Sequence, residues 1–151
     1  MADSMAILAP NINSFRRMTP GCFAPLSANW GYENRTTAIR IPGGDHRAMR
    51  IEHRVAGADA NPYLAVAAIL AGALSGIERK LSAPEPIEGD AGDVKPTLPH
   101  FWNDAIGVFE DSTFIGQYLG AELQRNFTLC KRKEKHEFDT RITALEYDAF
   151  L

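Results

Sequence analysis

Apolar and polar positions alternate with period two over residues 34–42 and again over 50–55, and a turn-forming segment, 43–49, holding Gly43, Gly44 and Asp45 separates them. This pattern predicts an antiparallel hairpin over about 36–55. On its second strand Arg50, Glu52 and Arg54 share one face and Ile51 and Val55 the other, while Arg40 is flanked by Ile39 and Ile41 on the first. The hairpin therefore has a charged face over an apolar one. Upstream, the apolar run 5–9 reads as a short strand-like piece ended by Pro10. Residues 18–25 hold Pro20, Gly21 and Pro25, which excludes regular structure and predicts a shaped loop.

Beyond the hairpin the period lengthens. Asn61 before Pro62 is a helix start, and 61–81 is apolar on every side through Ala65, Val66, Ile69 and Leu70, which predicts a buried helix lying across the apolar face of the strands. Residues 82–97, with three prolines and two glycines, read as a surface loop. Phe101, Ala105, Val108 and Phe109 recur at helical spacing, as do Leu119, Leu123, Phe127 and Cys130, so two amphipathic helices follow. The charged run 131–137 is a solvated helix end. A last short helix over about 140–150 is expected to pack Ile142, Leu145 and Ala149. Together these elements predict an α+β fold.

A chain of 151 residues with 45% hydrophobic content suits one domain with its own core. The net charge of −3 argues against nucleic acid as partner. Yet residues 16–54 hold seven arginines, no lysine and three acids, a local excess of +4. A solvated outer face is one reading of this pattern. The choice of arginine alone favours another, planar bidentate recognition of carboxylate or phosphate, hence an anionic ligand. The longest apolar run, 64–74, is shorter than the roughly 18 residues that span a bilayer, so no membrane is expected. Cys22 and Cys130 lack ligand spacing and fit a reducing cytoplasm, and residues 1–10 carry no secretory pattern. The chain has no phosphate-cradling GxxxxGK[ST] and no GxGxxG, and His46, His53, His100 and His136 are isolated in sequence. Candidate chemistry therefore rests on the arginine segment and Glu52.

Several of these stretches, in order and spacing, resemble one known family. Asn13-Ser-Phe-Arg-Arg-Met-Thr-Pro-Gly-Cys-Phe-Ala-Pro25, Asn34-Arg35, Arg40-Ile-Pro42, Arg50-Ile-Glu-His-Arg54 and Asn61-Pro-Tyr-Leu64 are similar to the C-terminal part of the glutamine synthetase catalytic domain. The resemblance covers nearly the whole chain, so 1–151 is expected to be a C-terminal portion of that domain, with the β-grasp domain and the first part of the catalytic domain absent. It implies an ATP-dependent ligase joining an amine to the γ-carboxylate of glutamate through γ-glutamyl phosphate, with Mg2+ or Mn2+. It further implies that Arg17 and Arg54 hold glutamate, that Arg35, Arg40 and Arg50 hold phosphates, with Arg35 and Arg40 at the transferred group, and that Glu52 is a metal ligand. A cytoplasmic homo-oligomer of stacked rings is the implied assembly, and the isolated chain is expected to be inactive. Where glutamine synthetases carry a glutamate before Ala24-Pro25, this sequence has Phe23. The resemblance is therefore nearer to the γ-glutamylamine branch, such as γ-glutamylputrescine synthetase, with Phe23 in the amine site. The alternatives are glutamine synthetase proper and a non-catalytic relative.

Overall fold

Three very short strands carry the arginine-rich segment in the computed structural model, which describes residues 1–150. β1 (Trp30–Tyr32) runs parallel to β2 (Ile39–Ile41), and β2 pairs antiparallel with β3 (Glu52–His53), in the order β1-β2-β3. The predicted hairpin is thus present but reduced, with Ile39 opposite His53 and Arg40 opposite Glu52. Its connection runs from 42 to 51, longer than the expected 43–49. Arg50 consequently leaves the strand face on which it was predicted to join Glu52 and Arg54. A local reason is Asp45, whose Oδ1 accepts from the amides of Arg47 and Ala48, a side-chain turn that competes with the ladder.

The parallel neighbour β1 was not predicted. Parallel strands usually need a long crossover, but these are three residues long, and the six residues 33–38 can reach about 20 Å when extended, ample to return past so short a strand. Asn34 organises that return: its Oδ1 accepts from the Thr36 amide and hydroxyl, and its carbonyl accepts from the Thr37 hydroxyl.

Residues 5–9 correct the strand reading. After a 3-10 turn, Ala2–Ser4, they open as helix α1 (Met5–Leu8), wholly buried, because a short, uniformly apolar run has no period to distinguish strand from helix. α2 (Ile12–Phe15) starts at Asn11 with a reciprocal capping box to Ser14. α3 (Pro62–Glu78) starts where expected, with Asn61 Oδ1 accepting from the amides of Tyr63 and Leu64. Its predicted burial is not found. Only Ala65, Ala68, Ala71 and Ser75 are buried, whereas Tyr63, Val66, Leu70, Leu74 and Ile77 are exposed. It also lies against α1 and the segment 116–120 rather than across the sheet.

The C-terminal elements are α4 (Trp102–Glu110), α5 (Thr113–Ile115), a π-helical stretch Gly116–Gly120, α6 (Ala121–Asp139) and α7 (Ala144–Phe150). The core lies where α1, α4 and α5 meet, through the fully buried Ile7, Leu8, Ile106, Phe109 and Ile115, and Phe127 of α6 adds a ring 5.0 Å from that of Phe109. Residues 140–150 do not pack as predicted, since Ile142, Leu145 and Ala149 are all exposed. The α+β class stands, with most of the core supplied by helices.

Candidate functional site

Strand pairing puts Arg40 beside Glu52, and the short β1–β2 return brings Glu33 to the same guanidinium. Arg40 donates from Nη2 to Glu33 Oε2 at 2.7 Å and from Nη1 to Glu52 Oε2 at 2.9 Å, while its buried Nε has no partner. Arg54 Nε lies 3.4 Å from Glu52 Oε1, and its Nη1 donates to the Thr37 carbonyl at 3.2 Å. The other oxygen of Glu33 accepts from the Gly43 amide. That amide, and next the Arg40 guanidinium, hold the Glu33 carboxyl below its ordinary range, and the hydrogen bond that Arg40 donates to Glu33 is the main reason Arg40 titrates above its own. His53 is partly withdrawn from solvent, and burial lowers its pKa.

A second group surrounds Asp59, which accepts from the Ser14 hydroxyl at 2.7 Å and the Asn11 amide at 2.8 Å. These bonds, Ser14 first, lower its pKa, with a smaller contribution from the charge of Arg17. Gly57 leaves room for this arrangement, since a Cβ there would overlap Asp59 Oδ1 and sit 3.0 Å from Arg17 Nη1, so a larger residue would push those side-chain ends aside.

The third feature is a cavity of about 190 Å³ lined by Phe23, Pro25, Leu26, Arg35, Thr36 and Asp90, among others. Phe23 is 91% exposed with φ +57°, a conformation that costs a bulky residue on the order of 1 kcal/mol. The opposite side comes from 82–97, which is tied to the sheet. Trp30 Nε1 donates to the Pro84 carbonyl at 2.7 Å, the Ile87 amide to the Trp30 carbonyl at 2.8 Å, and Asn34 Nδ2 to the carbonyls of Ile87 and Gly89. Gly31 permits this approach, since a Cβ there would lie 2.8 Å from the Ile87 carbonyl oxygen.

Comparison with known proteins settles the relationship. The family described as glutamine synthetase, catalytic domain, matches residues 1–150. The chain belongs to the glutamine synthetase family. It is 44% identical over 152 residues to the gamma-glutamylputrescine synthetase PuuA of Escherichia coli, covering 100% of this chain and 32% of that protein. It is 40% identical over 141 residues to a gamma-glutamylethanolamide synthetase of Streptomyces coelicolor, covering 93% of this chain and 30% of the relative. A solved structure described as apo GmaS without ligand superposes with a TM-score of 0.84 at 30% identity, covering 99% of this chain and 35% of that one. The chain thus spans about a third of the length of these relatives.

Within the glutamine synthetase framework, Arg40, Glu52 and Arg54 form one connected group, and Arg35 shares the cavity with Phe23. Arg17 stands apart beside Asp59, and among the described residues Arg50 bonds only the Ala48 carbonyl, at 3.2 Å. Arg35 makes no side-chain hydrogen bond or ion pair among the described residues. Sequence reasoning overlooked Glu33 and Asp90 as site residues. The signal for Glu33 was weak, because its partnership depends on the unpredicted parallel strand. Glu52 is the one carboxylate in this set with a predicted metal role, and both its oxygens face guanidinium groups. Among the described residues no three His, Cys, Asp or Glu side chains converge as a metal site. The residues present do not by themselves form a site for a divalent ion.

Proposed function

We propose that this chain is the C-terminal portion of the catalytic domain of a cytoplasmic glutamate–amine ligase, and that its acceptor is an alkyl amine such as putrescine, which becomes γ-glutamylated, rather than ammonia. The observation that carries the reading is the cavity lined by both Phe23 and Arg35, in a member of this family whose 44%-identical relative is a γ-glutamylputrescine synthetase. ATP supplies a phosphoryl group that converts the γ-carboxylate of glutamate into γ-glutamyl phosphate. Arg35 and Arg50, with few internal bonds, are free to grip phosphate oxygens, and Arg40 adds a third guanidinium whose Nε still lacks a partner. Such preorganised positive charge suits phosphoryl transfer, where positioning and electrostatics supply most of the stabilisation.

Arg17 and Arg54 are assigned to the carboxylates of glutamate. Glu52 would lend one oxygen to Mg2+ or Mn2+, with further ligands from other parts of the longer protein, which assembles as a homo-oligomer of stacked rings. Phe23 offers apolar surface to the acceptor, and four methylenes at about 0.8 kcal/mol each favour a diamine over ammonia by about 3 kcal/mol when fully buried.

The test gives the full-length ligase glutamate, ATP and magnesium and measures phosphate release with ammonia, putrescine, ethanolamine and monoamines at equal concentration. Faster turnover with a longer amine is expected. Efficient use of ammonia with no gain from any longer amine would restore glutamine synthetase proper, and silence with every amine would mark a non-catalytic relative.

A further inference from the structure

The segment after α3 brings a carboxylate to the cavity that Phe23 borders. We propose that Asp90 is the residue that selects a diamine, by pairing with the ammonium at the far end of the acceptor chain while the methylenes lie along Phe23, Pro25 and Leu26. The inference rests on the amine reading above and adds the determinant of the amine's second charge.

Asp90 is held in place by its neighbours. The Gly89 carbonyl accepts from Asn34 Nδ2 at 2.8 Å, and the amide of the buried Ala91 donates to Thr36 Oγ1, also at 2.8 Å. Both peptide neighbours of Asp90 are therefore tied to the segment that carries Arg35. The carboxylate itself is oriented by Oδ1, which accepts from the Gly92 amide at 2.8 Å, and Oδ2 has no hydrogen bond among the described residues. Asp90 is the one acid and Arg35 the one base lining the cavity, and no ion pair joins them. The two charges are thus available to different parts of a bound substrate. At about 190 Å³ the space is below the roughly 300–1,000 Å³ of drug-sized sites and suits a short aliphatic chain. An amine with an apolar end would leave Asp90 to water, whereas a diamine gains a charge-assisted hydrogen bond.

The experiment uses Asp90→Asn in the full-length ligase, with putrescine and n-butylamine as acceptors. Asparagine caps the following turn as well as aspartate does, so the fold is retained and only the charge is lost. Asp90 is exposed, and a pair of that kind is worth up to about 1 kcal/mol, or about fivefold. The Michaelis constant for putrescine is expected to rise about three- to fivefold, with that for n-butylamine and kcat for both unchanged, and Asp90→Glu is expected to restore the preference. Equal rises for the two amines, or no rise for putrescine, would overturn the role of Asp90 while leaving the amine reading intact. A wild-type enzyme that turns over ammonia and neither of these amines would overturn both.

Discussion

Arg40 uses one N–H of each terminal nitrogen on a carboxylate, so a phosphate oxygen arriving there either shares the guanidinium with both acids or displaces one. Glu33, with its side chain 56% exposed against 37% for Glu52, is the one placed to yield. Arg54 is more constrained, held by Glu52 and the Thr37 carbonyl. Arg54→Ala in the full-length ligase is expected to raise the Michaelis constant for glutamate at least tenfold, from a lost charge-assisted bond of roughly 1.5–3 kcal/mol, and an unchanged constant would remove its assigned role. Asp59 provides a pH test. Because its folded pKa is lowered, its stabilisation is complete above the unfolded value of 3.8 and is lost as the pH falls through the folded value. Asp59→Asn should therefore lower the melting temperature at pH 7, and the difference from the parent should close on the acid side of about pH 4. A gap that persisted there would mean the carboxylate charge is not its cause. Period-two alternation put Arg40 and Glu52 on the two strands of one hairpin, and the register that pairs them is seen only in the structure. Nothing local in the sequence marks Glu33 or Asp90, since each reaches its place through contacts with another segment.

Among the elements, α3 shows how a helix can be legible in position and illegible in orientation. Asn61 and Pro62 fix its start, but a segment apolar all round presents no polar stripe to say which side faces outward. The structure buries the narrow side, Ala65, Ala68 and Ala71, because small residues let the helix come close to α1. Ala68→Leu is accordingly expected to cost about 1–3 kcal/mol by overpacking. Leu70→Gln, on the open side, should stay within about 0.5 kcal/mol. Urea unfolding of both variants checks the pair, and the reverse order would mean that the helix is turned the other way. The arginine strands failed differently. Their turn was expected over 43–49, yet it extends over 42–51, where Asp45 captures two backbone amides.

For the whole molecule, the apolar residues Tyr63, Val66, Leu70, Leu74 and Ile77 form a continuous exposed stripe, and Leu145 and Phe150 add to the exposed apolar surface. Patches of this kind associate in water. The 151-residue chain by itself is expected to sediment with a weight that grows with concentration, and replacing Leu70 and Ile77 by lysine should shift it towards monomer. It is also expected to release no phosphate with glutamate, ATP, magnesium and putrescine, because one carboxylate cannot supply the several oxygen ligands that such an ion demands. Detectable ligation would show the site to be complete as it stands. The bracing of β1 by 84–91 has a consequence for the order in which the molecule is made. On the ribosome, Trp30 and Asn34 emerge more than fifty residues ahead of the carbonyls they bond. Until Ala91 has cleared the exit tunnel, Arg35 stands on the turn after β1 while one edge of that strand is bare, so a nascent chain halted near residue 80 carries the arginines but has no pocket in which to use them.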